Sequence, residues 1–284
     1  MNASLTLTAS CPDQVGIIAA ISGLVAEHGA SITEASQHSD PVTRHFFMRY
    51  EIDATRLPFG KAGFEQALRP LAERFGMDWQ VSSSQAPYRV LILVSKQDHC
   101  LSDLLYRWRR RDFIFDLVGV VSNHEDLRAD VEQAGVPYHH VPVTPGRRAV
   151  AFEAIERLFE DTRADVMVLA RYMQILPGEL CARLPHRIIN IHHSFLPSFV
   201  GASPYRQAYE RGVKIIGATC HYVTEELDAG SIIEQDVMRV HHGDSVERMV
   251  ALGRDVERAV LARGLRYHVQ DRVLVHGNKT VVFP

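Results

Sequence analysis

Along the first eighty or so residues, apolar positions recur with a period of two in some stretches and of three to four in others. "ASLTLTAS" alternates as a strand does. From Asp13 to Gly29, the positions Ile17, Ile21, Leu24 and His28 follow helical spacing, and Gly29 stops the run. "ASITEASQHSD" and "RHFFMRYEID" read as two strands joined around Asp40-Pro41. Phe64, Leu68, Leu71 and Phe75 mark a second amphipathic helix closed by Gly76, and "MDWQVSS" is a last strand. This βαββαβ order predicts a ferredoxin-like sandwich. "SSSQAPY", Ser82 to Tyr88, is a polar linker, so the first domain is expected at 1–84 and a second at 85–284.

From Arg89 the pattern changes. "RVLILVS", "DLVGVVSN", "PYHHVPV", "DVMVLARY" and "RIINIH" are short continuous apolar runs, the kind buried on both faces. Helical segments fall between them at about 99–110, 124–134, 147–162 and 177–184. Alternation of this kind predicts an α/β domain with a mostly parallel, Rossmann-like sheet. After Pro204 come a short helix, the strand-like runs "KIIGATCHYVT" and "GSIIEQDVMRV", a long helix over about 245–270 and a hairpin turning at "HGNK".

Composition narrows the function classes. At 284 residues the chain suits two domains, and 46% hydrophobic with 23% charged residues is ordinary for a globular protein. A net charge of −3 argues against nucleic-acid binding, which needs a basic face. Cys11, Cys100, Cys181 and Cys220 are far apart, predicting reduced, buried thiols and a cytoplasmic setting. The opening "MNASLTLTASCPDQ" lacks the features of a secretion signal, and no stretch approaches the roughly 18 apolar residues of a membrane span.

The chemistry concentrates at "RIINIHHSFLPSF", Arg187 to Phe199. Ligands of open α/β sheets sit beyond the carboxyl ends of the strands, where the apolar run ends. Strand alternation puts Asn190 and His192 on one face and His193 on the other. An amide and an imidazole converging on one point suit a carbonyl: the amide donates to the developing oxyanion and the imidazole moves the proton. A carboxylate from the acidic turn in "HYVTEELDAGSII" would orient the ring. Asp228, Glu225 and Glu226 are all candidates on this ground.

"NIHHSFLP", followed 36 residues after His192 by the aspartate of "TEELDAG", resembles the formyltransferase fold of enzymes that use 10-formyltetrahydrofolate, over roughly residues 89–284. The resemblance implies a catalytic trio of Asn190, His192 and Asp228. It implies a folate pocket from "LARYMQIL", with Met173, Gln174, Ile175 and Leu176, and from the turn holding Thr224, Glu225 and Leu227. Ser194 would buttress the loop, and His193 would face the acceptor side. Members that formylate a phosphorylated amine carry a glycine-rich turn after the first strand, a favourable cradle for a dianion. The corresponding "LVSKQDHCLSDLL" has no glycine and adds Asp98 and Asp103. The branch acting on transfer RNA carries a further basic domain, which has no counterpart in this chain. With its front domain, "HHSFLP" and "RYMQIL", the chain resembles the formyltetrahydrofolate deformylase family from end to end. That implies hydrolysis of 10-formyltetrahydrofolate to formate and tetrahydrofolate, supplying formate for purine biosynthesis. The alternatives are formyl transfer to a small amine and a non-catalytic folate-binding regulator.

No cofactor is expected beyond the folate substrate. The pairs His139-His140, His192-His193 and His241-His242 cannot each grip one ion from adjacent strand positions, and no metal is expected. The unit from Met1 to Ser84 resembles an ACT domain, which implies an amino-acid effector or subunit pairing. "SCPDQVG" supplies Asp13 as helix cap and Gly16 for close approach, the candidate effector contacts. Exposed strand edges favour a homo-oligomer.

Overall fold

The structure is a computed structural model that describes residues 3–55, 57, 60–197 and 204–284. Met1 and Asn2, at the head of the stretch read for a leader, and residues 198–199, which close the histidine stretch, lie outside the described residues.

The chain forms two compact units. The first contains β1 (Ser4–Pro12), α1 (Ile17–Glu27), β2 (Ser31–Asp40), β3 (His45–Asp53), α2 (Gly60–Phe75) and β4 (Asp78–Ser83). Its antiparallel sheet has the order β2-β3-β1-β4, the ferredoxin-like arrangement expected of the βαββαβ run. Ile17, Ile21 and Leu24 of α1 and Phe64, Leu68 and Phe75 of α2 bury against Leu5, Leu7, Met48 and Ile52 of the sheet. Burial of one such side chain contributes about 1.5–3 kcal/mol. α1 starts later than the spacing predicts: Gly16, at φ +99°, is the cap residue, and no side chain caps the helix. Asp13 therefore does not cap, a correction to the sequence reading. Its backbone N–H instead donates to the Arg44 carbonyl at 2.8 Å.

The terminal hairpin, β12 (Val273–His276) and β13 (Lys279–Val282), was expected with the second domain. Residues Gln270–His276 and Thr280–Pro284 group instead with Met1–Pro87. Leu274 and Phe283 pack on Phe47, and Arg272 pairs with Glu34 at 3.0 Å. Hairpin periodicity cannot say which neighbour a strand will find.

The second unit, Tyr88–Val269 with Gly277–Lys279, holds a seven-stranded sheet. Its strands are β5 (Arg89–Val94), β6 (Asp116–Ser122), β7 (Tyr138–His140), β8 (Val166–Leu169), β9 (Ile188–His192), β10 (Ile215–Tyr222) and β11 (Ile232–Arg239). The order is β11-β10-β9-β8-β5-β6-β7. β5 to β9 run parallel, and β10 lies antiparallel to both of its neighbours, β9 and β11. The connecting helices are α3 (His99–Arg110), α4 (Arg128–Gln133), α5 (Arg148–Asp161), α6 (Gly178–Arg183), α7 (Pro204–Arg211) and α8 (Val246–Val269). Val90 to Val94 and Val166 to Val168 are fully buried, as a sheet covered on both faces requires. β8 ends at Leu169, earlier than "DVMVLARY" suggests, because Arg171 takes a left-handed φ of +63° that breaks the extended run. All four cysteines are free and buried. Among the described residues, no helix is long and apolar enough to cross a membrane.

Candidate active site

β9 delivers the amide and the imidazole. Asn190 and His192 lie two residues apart near its carboxyl end, so the pleat carries both side chains to one face. β10 runs antiparallel beside it, pairing Thr219 with His192 and His221 with Asn190. The turn between β10 and β11 returns Asp228 to the same place, with its carboxylate Oδ2 3.2 Å from Nδ1 of His192. Asp228 has φ +56°, a left-handed conformation that aspartate adopts more readily than bulkier residues. Glu225 and Glu226 of the same turn are exposed, so among the three acidic candidates it is Asp228 that meets the imidazole.

The turn is held by close packing. Tyr222 N–H donates to the Ser231 carbonyl at 3.0 Å, Val223 N–H to Ile188 at 2.9 Å, and Thr224 Oγ1 to the Glu226 carbonyl at 3.0 Å. Gly230 passes so near the neighbouring chain that a Cβ there would lie 1.8 Å from the Tyr222 oxygen.

His221 is a member of the site that the sequence reading missed. Its Nε2 is 3.2 Å from Asn190 Nδ2 and 3.7 Å from Asp228 Oδ1, and its Nδ1 is 2.8 Å from the Tyr222 carbonyl. A carbonyl can only accept, so Nδ1 carries the proton. Burial pushes the imidazole pKa down, and in the neutral ring Nε2 is then the acceptor. That settles the Asn190 amide: Nδ2 donates one N–H to His221 and keeps the other. The available signal was a lone histidine in the apolar run "IIGATCHYV" directly before the acidic turn.

Charge follows from the same contacts. Burial pushes the Asp228 carboxyl up, but the hydrogen bond and charge of His192, with His221 and His193 adding to them, leave it below its ordinary value. An ionised Asp228 accepts from Nδ1–H of His192. The other ring nitrogen, Nε2, is buried and has no partner among the described residues, leaving its lone pair for a reacting molecule. His193 is different: burial, then the Arg171 charge, pushes its pKa down to about 4. Ser194 is buried, and its carbonyl accepts from Thr219 Oγ1 at 2.9 Å. Thr219 Oγ1 also accepts from Leu196 N–H at 3.1 Å and Gln235 Nε2 at 2.9 Å, tying down the loop after β9.

The "LARYMQIL" segment leaves β8 beside this group. Met173 N–H donates to Ser95 Oγ at 2.9 Å, and Ser95 Oγ donates to Asn123 at 2.7 Å. Met173 and Ile175 are more than half exposed, as is Leu227 across the turn. Exposed apolar side chains this large, beside buried polar groups, offer a surface on which a flat ring can pack. Gln174 is half-buried between them. The turn also passes close to the start of α6, where a Cβ on Gly178 would lie 3.6 Å from Glu225. Leu176 does not belong to this surface: it is 7% exposed and packs with Leu169, Tyr172 and Leu180. The expectation that it lines the pocket is corrected to a supporting role in the core.

Other features lie elsewhere. His140 pairs with Glu125 at 2.7 Å on the edge strand β7, and His241 and His242 are exposed after β11. A cavity of about 410 Å³, lined by Glu156, Phe159, Arg163 and Arg187 among others, opens at the amino ends of β8 and β9, the end opposite the trio.

Two partly buried imidazoles set an acid limit on stability. The pKa of His193, and that of His268 (by burial, then by repulsion from His186 and Arg187), lie at about 4. Both are below the unfolded value, so their contribution is full above pH 6.5 and is lost as pH falls toward 4. The unfolding free energy from urea titration should drop between pH 7 and pH 5 by on the order of 1–2 kcal/mol for each ring. The drop should shrink in His268→Asn.

The formyl transferase family model matches residues 88–265, and the ACT domain model matches residues 5–58. The chain is 47% identical to the formyltetrahydrofolate deformylase of Bacillus subtilis strain 168, over 98% of this chain and 93% of that protein. The chain belongs to the formyltetrahydrofolate deformylase family. Within that family, the crystal structure of the Pseudomonas syringae pv. tomato DC3000 deformylase superposes with a TM-score of 0.98 at 58% identity, covering 100% of this chain and 95% of that one. Glycinamide ribonucleotide transformylase 1 from Symbiobacterium toebii shares less: 28% identity and a TM-score of 0.66, over 71% of this chain and 96% of that one. The deformylase likeness thus takes in both units.

Proposed function

We propose that this protein hydrolyses 10-formyltetrahydrofolate to formate and tetrahydrofolate, using Asn190, His192 and Asp228. The observation that carries the reading is the His192 ring, fixed by Asp228 at Nδ1 and buried with an Nε2 that has no partner among the described residues. Ionised Asp228 holds the tautomer and favours the imidazolium once it forms. Nε2 takes a proton from water as the water oxygen bonds to the formyl carbon. The carbonyl electrons move onto oxygen, where the remaining N–H of Asn190 donates to the oxyanion. The C–N10 bond then breaks, its electron pair stays on N10, and the His192 proton is delivered there. The formic acid so formed gives up its proton to solvent, and formate and tetrahydrofolate leave.

The pterin sits against Met173 and Ile175, with Gln174 and the turn residues Thr224, Glu225 and Leu227 at its edge. His193, neutral near pH 7, borders the acceptor side without serving as the acid, and Ser194 acts through its loop. In this reading the protein is a cytoplasmic homo-oligomer that supplies formate for purine biosynthesis. Pairing along the largely exposed β2 supports the assembly, and the exposed Asp13 with Gly16 in its left-handed turn is the place for an amino-acid effector.

Purified protein given 10-formyltetrahydrofolate and no amine should release formate stoichiometrically with tetrahydrofolate. Release that requires an added amine would make it a transferase. Asn190→Ala should lower the rate by on the order of 10²–10³; near wild-type release would remove the amide from the mechanism.

A further inference from the structure

The chain runs from β5 outward through β6 to β7, and then returns to place β8 on the other side of β5. The crevice beyond the carboxyl ends of β5 and β8 is therefore the switch point where such sheets take ligands. Arg171 follows β8 there, at a left-handed φ of +63°, and Gln97 and His99 follow β5. A buried arginine with a histidine beside it is what an anionic ligand would seek.

That place is already taken. Glu257 is 1% exposed on α8, in a buried stripe with Gly253, Val256, Val260, Leu261 and Gly264, where helical spacing calls for an apolar residue. Its Oε1 accepts from Tyr205 Oη at 2.6 Å, and its Oε2 accepts from His99 Nε2 at 2.9 Å. Arg171 Nε stands 3.3 Å from Oε2 and also donates to Gln97 Oε1 at 3.0 Å. One turn earlier on α8, a Cβ on Gly253 would lie 2.1 Å from Tyr205 Oη, so glycine makes room for the phenol to reach the carboxylate. The cluster is continuous with the catalytic trio through His193, whose ring centroid lies 5.3 Å from that of His192 and 6.2 Å from that of Tyr205.

We propose that the Glu257 carboxylate is an internal anion that occupies the switch-point crevice, cancels the Arg171 charge and excludes a negatively charged second substrate, so that water is the formyl acceptor. This rests on the hydrolytic reading above and names what makes the site hydrolytic. Glu257 touches no reacting atom; it is a specificity-determining residue. His99, Cys100 and Glu257 also bring ligand atoms within 4.8 Å of one another. A cation there would face the Arg171 guanidinium on the same carboxylate oxygen, so the surroundings suit an anion.

Glu257→Ala leaves three donors around an empty space, and Glu257→Gln keeps the shape without the charge. Thermal unfolding of each would be followed in sodium acetate against sodium chloride of equal ionic strength. Wild type should respond alike to both salts. Glu257→Ala should melt lower and be restored selectively by acetate, with saturation at millimolar concentration. If that variant does not fold, Glu257→Gln keeps the test: acetate should inhibit its formate release at concentrations about tenfold or more below those needed for wild type. Folded variants that respond to acetate as wild type does would overturn the proposal. The thermal measurement needs no turnover, so its failure leaves the hydrolytic reading intact, whereas wild-type protein that releases no formate counts against that reading alone.

Discussion

Asp228→Asn should lower formate release by on the order of 10³–10⁴ while the protein stays folded. Asparagine has nearly the same volume and also tolerates the left-handed φ of +56° found at residue 228, so the turn keeps its shape. What changes is electrical. The carboxylate accepts from Nδ1 of His192 and leaves Nε2 as the basic atom. An amide that turns its NH₂ toward Nδ1 selects the other tautomer, with the proton on Nε2, where a base is needed. It also withdraws the negative charge that favours the imidazolium. Single-turnover release of formate, with thermal unfolding and folate binding measured on the same preparation, checks the expectation. A folded variant within tenfold of wild type would show that His192 does not depend on this carboxylate.

Gly230→Ala should abolish most of the activity through geometry alone. The added Cβ would lie 1.8 Å from the Tyr222 oxygen and 2.8 Å from its carbonyl carbon. Both are backbone atoms at the end of β10, where Tyr222 N–H is bonded to Ser231, so nothing flexible can give way. The turn must shift as a whole, and Asp228 is two residues away. We expect a stability loss of about 3 kcal/mol or more. Formate release should fall by at least about 10² from misplacement of the carboxylate. Gly178→Ala is the control: its Cβ would meet Glu225 at an ordinary 3.6 Å, and it should be nearly neutral. Urea unfolding and formate release on both variants separate a close-approach effect from a general intolerance of change in this region.

The paired strands and helices were readable because their signals are local. Continuous apolar runs such as "RVLILV" mark strands covered on both faces, and α3 spans the 99–110 expected of it. Where local signals competed, the reading slipped by a few residues. α1 begins at Ile17 because Gly16 turns the chain, and β8 ends at Leu169 because Arg171 does. Leu176 looked like pocket wall beside Met173 and Ile175, yet it is core, since residues so close in a loop can leave the backbone in different directions.

What this chain determined by sequence alone was the order of its elements, the face shared by Asn190 and His192, and an acidic turn of the right kind after β10. Period and alternation are properties of neighbouring residues, and neighbours are what a sequence displays. Tertiary structure decided which acid meets the imidazole, that His221 orients the amide, that the terminal hairpin joins the first unit, and that Glu257 closes on Arg171 from 86 positions away. Each of these depends on a distance between residues far apart in the chain, and such distances exist only once the sheet has brought the strand ends together.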